Sequence, residues 1–320
     1  MTTTAQPSAA DAADARDLSA GLVGAAIAVC AWSTGTVLAK GIEMGGLAIG
    51  TYRFWMFSLA LIGWMYLRKT PFTLHSIRAT AFGGIALGAD IALFFSAVKE
   101  TSIVNATIIG SLQPILVGVI AARFFGEKIR SRDALWSILA LAGVVVIVTT
   151  STADDVSNIK GDLLAMGAMF SWSAYFIASK QSKGKVTPTE FTAGTALWTA
   201  MIVTPLGFAF GQDMSWPSWK NWALLAAMAI GSGIIGHVLM NWSLVRIPLW
   251  VGSTFTLLIP VFSAIIAWIF LGEAIALRQA LAMAVVIGSL AMIVRGQSAA
   301  ARASAAHREV LDPDESIAPT

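Results

Sequence analysis

Three ionisable side chains stand inside otherwise apolar stretches of this 320-residue chain: Arg53, Asp90 and His237. A charge among apolar neighbours is costly unless it is paired or put to use, so each is a candidate functional group. Arg53 offers a planar guanidinium that can grip a carboxylate through two hydrogen bonds. Asp90 could serve as its gate or take up and release a proton. Both lie roughly 12–14 Å in from the same end of their runs, at about 1.5 Å per residue. Adjacent antiparallel helices could therefore join them as a buried ion pair, and the alternative to function is a structural pair that orients two helices. His237, with Asn241 one helical turn on, could relay protons near neutral pH or touch substrate. An interhelical hydrogen bond is the plainer alternative.

Uncharged groups complete the candidate set. Trp32 and Trp172 fall near the middle of apolar runs, where an indole N–H needs a partner and a cavity-lining role competes with plain packing. Ser33, Thr34 and Thr36 surround the first; Ser171, Ser173 and Tyr175 surround the second. Asn105, Thr107, Ser111 and Gln113 form one further polar group, and Ser253, Thr254 and Thr256 another. Single Ser and Thr residues in such runs mostly bond back to their own helix. The expected substrate-binding residues are thus Trp32, Ser33, Arg53, Asp90, Asn105, Ser111, Gln113, Trp172, Tyr175, His237, Asn241 and Thr254. Pro114 and Pro260 each remove a helical hydrogen bond and are the expected hinges. Glu127 and Glu273, each after a glycine, are expected to cap helices or pair with Arg132 and Arg278. His237 has no Cys, Asp or Glu at ligand spacing, so no metal site is expected. Cys30 is the single cysteine, which excludes a disulfide framework. No phosphate-binding GxxxxGK[ST] sequence is present, and no cofactor is implied.

The elements that must position these residues follow from composition. The chain is 57% hydrophobic and 12% charged, about half the charge of a soluble domain, so its exterior must face lipid. Ten apolar runs are long enough to span a bilayer, which takes about 20 helical residues. They cover 18–39, 44–67, 79–98, 101–122, 134–153, 163–179, 191–212, 221–245, 247–272 and 279–294. The Ala-rich polar tails, 1–17 and 296–320, read as disordered. With the N-terminus inside, fifteen Lys and Arg fall on the inner side and five on the outer, and Arg53 lies within a run. This asymmetry predicts a cell (cytoplasmic) membrane protein with both termini in the cytoplasm. No basic run suggests nucleic acid as a partner.

The sequence also repeats itself. Residues 112–135 align without a gap on residues 258–281, at an offset of 146, with 11 of 24 positions identical. The shared residues include Pro114 and Pro260, Gly126-Glu127 and Gly272-Glu273. A second echo, at an offset of 140, sets Trp32-Ser33 and Lys40 against Trp172-Ser173 and Lys180. Each unit, 18–153 and 154–295, holds five helices. Five is odd, so the copies would enter the membrane in opposite directions, a design common among secondary transporters.

Ten runs in two five-helix units, each with a Pro-centred helix followed by Leu/Phe-Gly-Glu, resemble the drug/metabolite transporter superfamily, EamA type. Residues 97–127, the stretch from Met240 to Pro248, and Ile259-Pro260-Val261-Phe262 followed by Phe270-Leu271-Gly272-Glu273 carry the resemblance. It implies an all-α integral membrane protein of ten transmembrane helices in two inverted five-helix repeats. It implies, too, a secondary active transporter with a cavity lined by the first, third, fourth, sixth, eighth and ninth helices. The implied substrate is a small polar metabolite, an amino acid or related compound, moved outward by alternating access with a coupling proton. The rival within transport is a drug or cationic-compound/proton antiporter, with Asp90 as the cation site. A channel lacks the symmetry, and an enzyme would need a nucleophile–base or metal set that is missing.

Overall fold

A computed structural model describes residues 9–70, 72–151 and 158–311. Among them the chain is helical, with no strand. The helices are α1 (Ala9–Ala39), α2 (Gly46–Leu67), α3 (Leu74–Glu100), α4 (Ile103–Gly110), α5 (Gln113–Phe124), α6 (Ser131–Ser151) and α7 (Ile159–Gln181). There follow α8 (Pro188–Ala209), α9 (Trp219–Met228), a π-helical stretch (Ala229–His237), α10 (Val238–Leu244), α11 (Leu249–Phe255), a 3₁₀ turn (Thr256–Leu258), α12 (Ile259–Leu271) and α13 (Leu277–Leu311). Taking α4–α5, α9–α10 and α11–α12 each as one stretch, nine helical segments of the described residues are long and apolar enough to cross a membrane.

The expected run 163–179 lies in α7, the segment missing from those nine. At 23 residues α7 has the length, but it carries Asp162, Ser171, Ser173, Tyr175 and Lys180. Those polar groups are tolerated because α7 is largely enclosed. It packs along α3 and touches α4, α5 and α10, with Ser173 and Tyr175 fully buried.

Local signals explain the helix ends. Thr73 starts α3 through a reciprocal capping box with Ser76, and Thr187 starts α8 through another with Glu190, ahead of Pro188 in the first turn. Helices α5 and α12 end alike. Gly126 and Gly272 adopt φ of 65° and 68°, which a side chain disfavours, and the amides of Glu127 and Glu273 reach back to the carbonyls of Ala121 (3.1 Å) and Ala267 (3.4 Å). Outside the expected spans, α1 already begins at Ala9 and α13 runs on to Leu311, because both stretches are rich in alanine, the strongest helix former. Residues 1–8, 152–157 and 312–320 lie outside the described residues.

Glycines bring the helices together. A Cβ at Gly84 would press on Trp198 and lie 3.1 Å from Thr195 Cα, and one at Gly88 would lie 3.1–3.2 Å from Ile202. These contacts seat α8 on α3, as small residues do between membrane helices. Helix α8 also packs along α2, so it stands between α2 and α3, which touch only briefly. Helix α1 lies against the π stretch, α10 and α12, while α6 and α13 pair at the flank.

Candidate functional site

The interior centres on His237 at the end of the π stretch. Such insertions displace side chains from the α-helical register and often occur at functional sites. The His237 ring stacks on Phe57 (centroids 5.9 Å apart, 14° between planes) and meets Trp32 edge-on at 5.2 Å, Tyr175 at 5.8 Å and Trp172 at 6.3 Å. Trp172 in turn stacks on Tyr175 at 5.3 Å and meets Trp32 at 5.3 Å. The repeat-equivalent tryptophans are therefore neighbours. Gly236 makes room for Trp32: a Cβ there would lie 2.5 Å from the indole Cδ1.

A polar network runs through this aromatic shell. The Tyr175 hydroxyl accepts from Asn241 Nδ2 at 2.8 Å, and its own proton can go to His237 Nδ1 at 3.0 Å or Asn241 Oδ1 at 3.2 Å. Asn241 Nδ2 also donates to Thr192 Oγ1 at 2.9 Å, and Thr192 donates to the Pro188 carbonyl. Two donors beside this shell are left over: among the described residues Trp32 Nε1 and Arg53 Nε are buried with no partner, and so is Gln113 Nε2 at the proline segments. The Arg53 guanidinium lies 5.0 Å from the Phe54 ring, whose centroid is 6.4 Å from that of His237.

The expected Arg53–Asp90 ion pair does not form. Among the described residues neither side chain has an ionic partner, and both are only partly buried. Arg53 instead sets its guanidinium over the ring of Phe54, which meets His237. Glu127 caps a helix as expected, accepting from the Leu249 and Trp250 amides of α11, but the ion-pair partners differ: Glu127 meets Lys180 (3.7 Å) and Glu273 meets Lys40 (2.6 Å), not Arg132 and Arg278.

The two proline segments are broken rather than bent. Helix α4 stops at Gly110 and α5 restarts at Gln113; α11 gives way to the 3₁₀ turn before α12. Pro114 and Pro260 each occupy the first turn of the second piece, where a missing N–H breaks nothing. The breaks meet: Thr256 Oγ1 donates to Gln113 Oε1 at 3.3 Å, and Ser33 Oγ reaches the Ile259 carbonyl at 3.1 Å. Ser111 and Thr254 bond back to the carbonyls of Thr107 and Trp250, and Asn105 Nδ2 reaches Thr101 at 3.4 Å. Among the described residues, Asp90, Asn105 and Ser111 form no hydrogen bond or ion pair with the His237 network. Phe54, Phe57, Phe191 and Thr192, which line or close that network, were absent from the expectation because buried phenylalanine and threonine are ordinary core residues in an apolar chain.

Helices of this length and hydropathy, enclosing a polar network, define a multi-pass membrane protein. The model of the EamA-like transporter family matches the chain twice, over residues 19–149 and 159–295. The chain belongs to the EamA-like transporter family, within the drug/metabolite transporter superfamily. It is similar to the threonine/homoserine exporter RhtA of Escherichia coli (strain K12), 25% identical over 267 residues, covering 82% of this chain and 87% of that protein. It is similar also to the aromatic amino acid exporter YddG of Ancylobacter novellus, 29% identical over 154 residues, covering 47% of this chain and 52% of that one. One solved crystal structure superposes with a TM-score of 0.77 at 22% identity, covering 88% of this chain and 98% of the other, a likeness of fold alone. The family and these relatives are transporters, not enzymes.

Proposed function

We propose that the protein is a secondary active exporter of an amino acid or closely related compound across the cytoplasmic membrane. It works by alternating access between two inverted five-helix repeats, with α7 as the tenth crossing and both termini inside. The observation that carries the substrate class is a pair of unmatched buried N–H donors at the His237 aromatic cluster, the indole of Trp32 and Nε of the Arg53 guanidinium. Donors in low dielectric demand an acceptor, and a carboxylate on Arg53 satisfies the strongest of them. The exporters named among the relatives support the same class.

The repeat reading rests on symmetric packing. Exchange α1 with α7, α2 with α8, α3 with the α9–α10 stretch, and α4–α5 with α11–α12. Then the pairing of α3 with α7 becomes that of α1 with the π stretch and α10, and α2 with α8 maps onto itself. One detail is sharper. A Cβ at Gly21 would lie 2.6 Å from Ile247 and 3.0 Å from Arg246; a Cβ at Gly161 would lie 2.6 Å from Thr101 and 2.8 Å from Glu100. Gly161 is 140 residues after Gly21, and residues 100–101 are 146 before 246–247.

Asp90, with no partner, favours one rival: a drug or cationic-compound/proton antiporter that would hold its cation there. Uptake of labelled amino acids into proteoliposomes, with and without a pH gradient, separates the two. Saturable uptake lost in Arg53→Ala and kept in Asp90→Asn supports the exporter. Transport of organic cations alone, lost in Asp90→Asn, would replace it with the rival.

A further inference from the structure

The two ends of the molecule differ, and the difference falls on repeat-equivalent residues. At the Lys/Arg-rich end, Glu127 accepts hydrogen bonds from the amides of Leu249 (2.7 Å) and Trp250 (3.2 Å), the first two residues of α11. Lys180 Nζ lies 3.7 Å from the same carboxylate and donates to the Ile247 carbonyl at 2.6 Å. Both side chains are largely covered, Lys180 at 19% exposure and Glu127 at 13%. Helix α5 packs against α11, every residue of which is buried.

The equivalent parts at the opposite end are apart. Glu273 and Lys40 form an ion pair at 2.6 Å, but at the surface, 50% and 56% exposed. Glu273 makes no bond to the amide of Val104, the counterpart of Trp250. Helices α4 and α12, the counterparts of α11 and α5, do not pack along each other. Of the described side chains of α4 only Ala106 is buried, and Ile109 is only partly buried where its counterpart Phe255 is buried.

We propose that Glu127 with Lys180, and Glu273 with Lys40, are two alternating latches of the transport cycle, each closing one end by clasping the first turn of the opposite broken helix. This inference rests on the five-plus-five reading above. A carboxylate on two first-turn amides makes charge-assisted bonds at the positive end of the helix dipole, so one side chain can hold or release a whole half-helix. In the state described, the Lys/Arg-rich end is latched by Glu127 and the other end is open. The other state would free α11 from α5 and seat Glu273 on the first turn of α4.

The test uses the full chain in detergent, with Cys30→Ser removing the native thiol and single reporter cysteines placed at equivalent positions, Ile109→Cys or Phe255→Cys. Each is labelled with a water-soluble maleimide. Adding Glu127→Ala is expected to slow labelling at position 109 and speed it at position 255. Each rate should change by at least about tenfold, the factor for losing a single hydrogen bond to a charged group, of which Glu127 accepts two. Adding Glu273→Ala is expected to leave position 109 fast and position 255 protected. Lys180→Met, expected to move both reporters as Glu127→Ala does, carries the test if that variant does not fold. Reporters that speed up together, as in a loosened fold, or that both stay unchanged, overturn the latch. No substrate enters the measurement, so an error in the substrate class cannot produce or mask the result.

Discussion

The same substitution, glycine to alanine, is expected to act with opposite sign at two helical positions. At Gly63, in the interior of α2, an added Cβ meets nothing within 4 Å. Alanine there should gain about 1 kcal/mol in helix propensity. At Gly161, in the first turn of α7, the Cβ would sit 2.6 Å from the amide nitrogen of Thr101 and 2.8 Å from the carbonyl carbon of Glu100. Ordinary carbon contacts are about 3.5–4.0 Å, and backbone cannot rotate away. The first turn of α7 must therefore retreat, loosening the Thr101 Oγ1 to Asp162 bond (2.9 Å) and the Lys160–Glu100 pair (2.7 Å) that fasten it to the α3–α4 corner. Overpacking costs about 1–3 kcal/mol, and weakening a bond to a charged group adds about 1.5 kcal/mol or more. The exposed Lys160 pair adds little. The net expectation is a loss of about 2–4 kcal/mol. At about 2–4 °C per kcal/mol for a chain of this order, thermal unfolding in detergent should show Gly161→Ala melting about 4–16 °C below wild type and Gly63→Ala about 2–4 °C above. Equal shifts of one sign, or a Gly161→Ala variant as stable as wild type, would refute the close approach of α7 to that corner.

Asn241→Ala removes bonds to Tyr175 and Thr192, at about 0.6 kcal/mol each and up to about 1.7 in a membrane interior. Its melting temperature should fall by several degrees, Tyr175→Phe should fall less, and the double variant should fall by less than the sum in the same assay. Arg53→Lys replaces a two-pronged donor with a point charge, so amino acid uptake should drop by about tenfold or more; retention of full uptake would show that no planar anion is gripped there. Glu190→Ala breaks the capping box with Thr187 and the bond from Ser76 (2.8 Å). It should lower the melting temperature by an amount matching about 1 kcal/mol while leaving the substrate affinity of the folded protein unchanged.

Much of the architecture was legible in the residues. Apolar runs located the helices because lipid forces nearly every exterior position to be apolar. The Gly-Glu repeat was legible because only glycine takes the positive φ that ends α5 and α12 in the same way. What was hidden depended on tertiary order. Arg53 and Asp90 lie at matching depths on consecutive helices, and nothing local announces that Arg53 lies over Phe54, which adjoins His237 far along the chain. Glu127 and Lys180 both appear in the repeats, yet their meeting requires knowing that the start of α11 lies between them. Pro114 and Pro260 pointed to irregular helices, but the irregularity falls before each one, since the first helical turn accommodates proline at no cost in hydrogen bonds. The π stretch left no readable period. Only the fit of Trp32 against Gly236 shows what that stretch accomplishes.

The central claim is that an amino acid crosses by alternating exposure of one site, and counterflow tests it most directly. Proteoliposomes loaded with an excess of unlabelled threonine, homoserine or an aromatic amino acid are diluted into a trace of the same labelled compound, with no ion gradient. An alternating carrier exchanges one for the other, so label should accumulate transiently above its equilibrium level, and Arg53→Ala should abolish the overshoot. Entry of label only to equilibrium, unaffected by the internal load, would describe a channel. No entry of any amino acid would remove this substrate class altogether.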